Sequence, residues 1–276
     1  MTRLRTADID DIAAGLPEYD RHLESLTGLS LAALAREAAG CDGVGDEPAT
    51  SFCVVPVSSG QGIIPRFSET VRDILVHIGF NAAVSPEQDE DGLAYARDSE
   101  AAVTMWADDT RFVAELLNGE KIDNTEATAL GYVTGLDLMA KGVAGRPVLL
   151  LGCGPLGQVA AGALLARGAR LTAFDRVAHR AGSLASRTGL AVAASFEQAL
   201  SGHDLIIDAT DSPDIIDVRH VSSRTYASAP GMPCGITPAA KRLLPRRLLH
   251  DPLQLGVAVM AFIAHKRHMT GGARTL

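Results

Sequence analysis

The residues best suited to chemistry lie in Gly152-Cys153-Gly154-Pro155-Leu156-Gly157 and, eighteen positions further on, at Asp175. Three glycines in G-x-G-x-x-G spacing suit a turn between a strand and a helix. Gly152 permits the tight bend, Gly154 lets backbone approach a pyrophosphate, and Gly157 lets the helix sit close to the strand. The helix amino end, at Leu156 and Gly157, then faces the phosphates. A carboxylate at Asp175 takes the hydroxyls of an adenosine ribose and repels a 2′-phosphate, so NAD is expected over NADP. Arg176 softens that preference.

Such a site needs particular elements around it, and the neighbouring sequence supplies them. Residues 147–151 form a short apolar run with the look of a buried parallel strand. Residues 158–167 are an alanine-rich helix stopped by Gly168, and residues 170–174 are a second strand ending at Asp175. A helix over 177–188 and strands over 191–194, 204–209, 225–228 and 247–250 complete the pattern. The strand over 204–209 ends in a polar turn at Thr210. The strand over 225–228 leads into a stiff loop, Ala229-Pro230-Gly231-Met232-Pro233-Cys234-Gly235. By position the Thr210 and Pro230 regions flank the nicotinamide half of the cofactor.

The fold class is therefore α/β: a C-terminal Rossmann NAD-binding domain preceded by a helical and α/β N-terminal substrate domain. The expected boundaries are 1–142, 143–252 and a helix over 253–276 packing back on the first domain. Residues 1–40 read as helical. Strands over 52–57, 80–84 and 101–106 alternate with helices over 67–79, 92–99 and 110–117, a small parallel-type unit. Ligands bind beyond the carboxyl ends of such strands. Two polar clusters fall there, Ser58-Ser59-Gly60 and Asp108-Asp109, with Asp109 the natural cap of the helix over 110–117.

Composition narrows the partners. A net charge of −8 over 276 residues argues against nucleic acid and suits a cationic small substrate. The four cysteines are scattered, the eight histidines show no ligand spacing, and no metal is expected. The apolar stretch 253–264 contains Gln254 and is too short to span a bilayer. No leader peptide and a cytoplasmic location are expected. A homodimer is left open.

Several segments together resemble the pyrrolysine synthase (PylD) family: VVPVSSGQGIIPRFSET at 54–70, WADDTRF at 106–112, NGEKIDN at 118–124, SAPGMPCGIT at 228–237 and DPLQLGVAVM at 251–260, with TGLS at 27–30. The likeness implies an NAD-dependent dehydrogenase acting on L-lysine whose ε-nitrogen carries 3-methyl-D-ornithine. Hydride leaves the carbon bearing ornithine's terminal amine, the imine hydrolyses to a semialdehyde with release of ammonia, and ring closure gives pyrrolysine. The amine must first lose a proton, so a carboxylate in a dry pocket that raises its pKa is the natural base. Asp108, the first acid of A-D-D, matches that position.

By the same resemblance, Ser58, Ser59 and the backbone at Val57 bond substrate amine or amide groups. Asn124 matches a loop asparagine, Asp251 stands where the family carries a glutamate, and Leu4 matches an N-terminal leucine that closes over the substrate. Cys234 is read as a small buried hydrophobe. Without the resemblance the chain would read as an NAD-dependent dehydrogenase of an amino or hydroxy acid. A nucleotide-sensing protein without chemistry is the reading from another class.

Overall fold

A computed structural model of the chain describes residues 4–41 and 50–271. The chain divides into two compact units. One comprises Met1–His22, Ser30–Thr128 and Pro252–Leu276, the other Leu23–Leu29 and Ala129–Asp251.

In the first unit, helices α1 (Ile12–Thr27, whose last turn is assigned to the other unit) and α2 (Leu31–Ala38) precede strand β1 (Ser51–Val55). Ser30 caps α2, its hydroxyl accepting the Ala33 amide. Helix α3 (Phe67–His77), strand β2 (Asn81–Val84), helix α4 (Asp89–Asp98) and strand β3 (Val103–Ala107) follow. The chain then departs from the expected pattern. Residues 110–117 are not a helix: Phe112–Leu116 is strand β4, antiparallel to β3, and Lys121–Asp123 is β5, antiparallel to β4. The sheet is thus mixed, in the order β2-β1-β3-β4-β5. Leu and Ala disguise β4 as a helix, but Phe112 and Val113 favour a strand, and pairing with β3 buries the apolar side chains at 112, 113, 114 and 116.

The helix Gln254–Gly271 supplies much of this unit's core. Every residue from Gln254 to His265 is buried. Phe80 stacks edge-on against Phe52 and against Phe262 and His265 of this helix, with ring centroids 4.9–5.7 Å apart. Each phenylalanine ring removes on the order of 150–250 Å² from water on burial, so the cluster stabilises this unit.

The second unit contains most of helix α5 (Asn124–Met139), inside which the boundary between units falls. Its sheet comprises β6 (Pro147–Leu151), β7 (Arg170–Phe174), β8 (Ala191–Val192), β9 (Leu205–Asp208), β10 (Tyr226–Ser228) and β11 (Leu248–Leu249), with helices α6 (Pro155–Ala166), α7 (Ala178–Thr188), α8 (Phe196–Ser201) and α9 (Pro238–Arg242) between. All six strands are parallel, in the order β11-β10-β9-β6-β7-β8. This is the Rossmann arrangement, whose strand order reverses between β6 and β9. The buried residues of α6, Gly157, Ala160, Ala161 and Leu164, recur at helical spacing. Their small size lets the helix lie close to the sheet.

Candidate functional site

The glycine turn joins β6 to α6. Gly152 has φ +86°, and a Cβ there would sit 2.7 Å from the Ala209 carbonyl. A Cβ on Gly157 would run into the carbonyl of Gly152, so no larger residue fits. Gly154 differs: a Cβ there meets nothing within 4 Å. Its side faces open space, which leaves the backbone approachable. Pro155 opens the helix with no donor to lose, and the Leu156 and Gly157 amides have no acceptor within the helix. Asp175 follows β7, and its Oδ2 accepts the Cys153 amide at 2.8 Å while Oδ1 accepts the Val177 amide at 2.8 Å. The carboxylate is therefore held beside the turn. This cradle fits a dinucleotide: donors for an anion at one end, an oriented acid at the other.

Two more loops of the same unit leave the carboxyl ends of β9 and β10. Asp208 is fully buried, and its Oδ1 accepts the Thr210 hydroxyl at 2.7 Å and the Thr210 amide at 3.2 Å. Burial pushes this carboxyl above the usual range against the pull of Thr210. Gly231 donates its amide to the Asp208 carbonyl at 3.1 Å, and a side chain there would strike the Thr210 carbonyl. Pro230 is buried between the β10 end and this contact, and the Met232–Pro233 bond is cis. Thr210 and Pro230 thus belong to one pair of interlocked loops. Asp208 was not among the residues expected at the site; its signal in the sequence is an acid closing the otherwise apolar strand β9.

In the first unit the polar turn 58–62 follows β1, and the turn 108–111 joins β3 to β4. β1 and β3 are neighbours in the sheet, so the two turns lie side by side. Asp109 Oδ2 accepts the Gln61 amide at 2.8 Å and ties them. A Cβ on Gly60 would strike the same carboxylate. Asp109 is therefore a brace between turns, not the helix cap expected from the sequence.

Asp108 Oδ1 accepts the Thr110 amide, the Thr110 hydroxyl and the Arg111 amide at 2.7, 2.6 and 2.9 Å. These bonds, the Thr110 hydroxyl first, hold its carboxyl below the usual carboxylate range despite partial burial. That is opposite to the raised pKa expected, because the dry pocket was inferred without the turn that solvates the oxygen. Arg111 stacks its guanidinium 4.9 Å from the Trp106 ring centre.

Ser58 gives its amide and hydroxyl to Asp89 at 2.7 and 2.5 Å. Asp89 lies 31 positions away at the start of α4, and nothing local in the sequence pairs the two. Ser59 is exposed and Val57 half-buried on the same turn.

The remaining expected contacts are Leu4, Asn124 and Asp251. Leu4 is half-buried, just before the short 3-10 turn Thr6–Asp8. Asn124 is not in a loop but is the first residue of α5, where its Oδ1 is buried and lies against Gly256. Asp251 is buried, its Oδ2 2.9 Å from the Tyr132 hydroxyl, which also accepts the Asp251 amide at 2.8 Å. Among the described residues no group of three or more His, Cys, Asp or Glu could hold a metal ion, and no helix is long and apolar enough to cross a membrane.

The chain is similar to known proteins in sequence and in fold. Residues 8–122 match the family model described as pyrrolysine biosynthesis protein PylD, N-terminal domain. Over 267 residues the chain is 28% identical to a pyrrolysine synthase of Methanosarcina acetivorans, covering 95% of this chain and 99% of that protein. It is 26% identical to the pyrrolysine synthase of Methanosarcina barkeri, over 95% of this chain and 97% of that one. Among solved structures, the shikimate dehydrogenase of Aquifex aeolicus superposes with a TM-score of 0.55 at 17% identity, covering 82% of this chain and 97% of that one. At that identity the likeness speaks for the fold alone. The likeness to the PylD N-terminal domain thus covers residues 8–122, and the likeness to proteins named pyrrolysine synthase covers 95% of the chain.

Proposed function

We propose that the chain is an NAD-dependent dehydrogenase that oxidises the primary amine of L-lysine-Nε-3-methyl-D-ornithine, the last step on the way to pyrrolysine. The dehydrogenase reading rests above all on the glycine cradle closed by Asp175. The substrate rests on similarity to proteins named pyrrolysine synthase over 95% of the chain.

Gly152, Gly154, Leu156 and Gly157 would hold the pyrophosphate, and Asp175 the adenosine ribose. Asp175 has two further lone-pair directions beyond its backbone bonds, enough for the two ribose hydroxyls. Thr210 and Pro230 would border the nicotinamide. When bound, NAD supplies an acceptor for hydride. Asp108 acts as the base, taking a proton from the substrate ammonium so that the nitrogen lone pair can push hydride from the adjacent carbon. Its carboxyl is ionised at neutral pH, as a proton acceptor must be. A carboxylate so stabilised in a turn is a weak base in water. Water excluded by bound substrate would raise its basicity toward the task. Ser58, Ser59 and the Val57 carbonyl offer acceptors for ammonium and amide N–H groups, and Leu4, Asn124 and Asp251 are further substrate contacts in this reading.

The test is direct. The purified protein is mixed with NAD and the lysyl-methylornithine compound, and NADH absorbance is followed together with product mass. NADH formation and a product lighter by ammonia and two hydrogens support the reading. NAD binding without turnover of this compound overturns it.

A further inference from the structure

We infer that Asp208 is a positioning residue for the nicotinamide half of the cofactor: its carboxyl, buried beneath two loops, fixes both at one spacing. The inference rests on the cofactor reading proposed above, in which Thr210 and Pro230 border that ring.

Asp208 closes β9, a strand buried along its whole length, and is 0% exposed. The proposed proton and hydride steps do not use it. Stability does not call for an acid here either. An apolar side chain would end the strand without the cost of dehydrating a carboxyl.

What the acid supplies is three points of hold. Its Oδ1 accepts the Thr210 hydroxyl at 2.7 Å and the Thr210 amide at 3.2 Å, which bends the first loop at the strand end. Its main-chain carbonyl accepts the Gly231 amide at 3.1 Å, which moors the front of the second loop. Its Oδ2 fills the space against Gly235, where a Cβ would collide with it, so the back of the same loop rests on the carboxyl. Between those points the loops touch: a Cβ on Gly231 would strike the Thr210 carbonyl.

The adenosine side is held by other bonds. Ala209 donates its amide to the Leu151 carbonyl of β6 at 2.8 Å, and Asp175 is fastened to the glycine turn. Loss of the Asp208 carboxyl therefore frees the two nicotinamide loops and leaves the pyrophosphate turn and the ribose acid in place. Misplacing a reacting group by about 1 Å costs about 10²-fold in rate, so this freedom should appear in turnover more than in cofactor binding.

The experiment uses the full chain, unaltered and as Asp208→Ala, Asp208→Asn and Gly235→Ala. The Kd of ADP-ribose, which lacks nicotinamide, reports the adenosine side. The emission lifetime and anisotropy of NADH at saturation, without substrate, report how firmly the ring is held. Asp208→Ala should leave the ADP-ribose Kd unchanged while bound NADH moves toward the lifetime of free NADH. Turnover of the lysyl-methylornithine compound should fall about 10²-fold with little change in KM for NAD. Asp208→Asn keeps an oxygen for Thr210 and should retain more of both signals than Asp208→Ala. Gly235→Ala pushes the loop off the carboxyl from the other side and should give the same NADH signature. NADH held as firmly in Asp208→Ala as in the unaltered chain, or ADP-ribose and NADH weakened in parallel, overturns the proposal. Should Asp208→Ala not fold, Gly235→Ala decides by the same two outcomes. The NADH signature without turnover of the assigned compound upholds the positioning role and overturns the substrate alone. An unaltered chain that binds no NADH overturns both.

Discussion

Asp175 Oδ2 accepts the Cys153 amide at 2.8 Å, so the acid after one strand is fastened to the glycine turn after its neighbour. The carboxylate therefore serves the turn's shape, and in the proposed reading it also holds the ribose. Asp175→Ala should raise KM for NAD roughly 10- to 100-fold, the loss of one or two charge-assisted hydrogen bonds. KM for NADP should change less or fall, because the repulsion of a 2′-phosphate goes with the charge. Steady-state kinetics with both cofactors measures the ratio; an unchanged ratio would contradict the role given to Asp175.

The glycines of the turn separate folding from binding. Gly157→Ala places a methyl on the Gly152 carbonyl and should lower thermal stability and NAD affinity together. Gly154→Ala meets open space, so its melting temperature should stay close to that of the unaltered chain while NAD binding falls. Calorimetric melting with and without NAD distinguishes the two variants.

Asp108→Asn keeps an oxygen able to accept the Thr110 and Arg111 donors, so the turn should survive. Turnover should fall about 10²- to 10⁴-fold, the usual contribution of a positioned base. NAD affinity should not change. Measured NAD binding beside single-turnover rates checks both halves. A variant that turns over normally would return Asp108 to a purely structural role.

His265 is 2% exposed, with Nδ1 2.7 Å from the Thr50 hydroxyl and Nε2 without a hydrogen-bond partner. Burial, then the charges of Arg36 and His268, hold its pKa below the ordinary 6.5. The folded state therefore favours the neutral ring. Stability from this group is complete above pH 6.5 and declines as pH falls through the lower folded-state value, by at most about 1.4 kcal/mol per pH unit. Chemical denaturation at pH 7.5 and pH 5.5 should show the loss, and His265→Gln should flatten it.

The parts of the fold that could be read from the chain are those encoded within a few residues. The stretch from Pro147 to Asp175 announces itself because strand, turn, helix, strand and acid follow in order. The loop from Ala229 to Gly235 is visible by its stiffness, but its mooring to Asp208 is not. Strand β4 was hidden because Ala, Glu and Leu at 114–117 favour a helix, and only pairing with β3 overrides them. The same error made Asp109 look like a cap and left Asp108 without its turn. Ser58 and Asp89 meet only after distant segments fold, and no local periodicity encodes such a meeting.

The helix Gln254–Gly271 fills the core of the unit that also contains β1 to β5. On a ribosome, everything the Rossmann unit needs has been made before that helix exists. The earlier-born unit must therefore wait, with Phe80 stacked on Phe52 but lacking Phe262, until that helix has been made. Truncation before Gln254 should accordingly yield an intact nucleotide-binding half on a partner that stays exposed to proteases and chaperones.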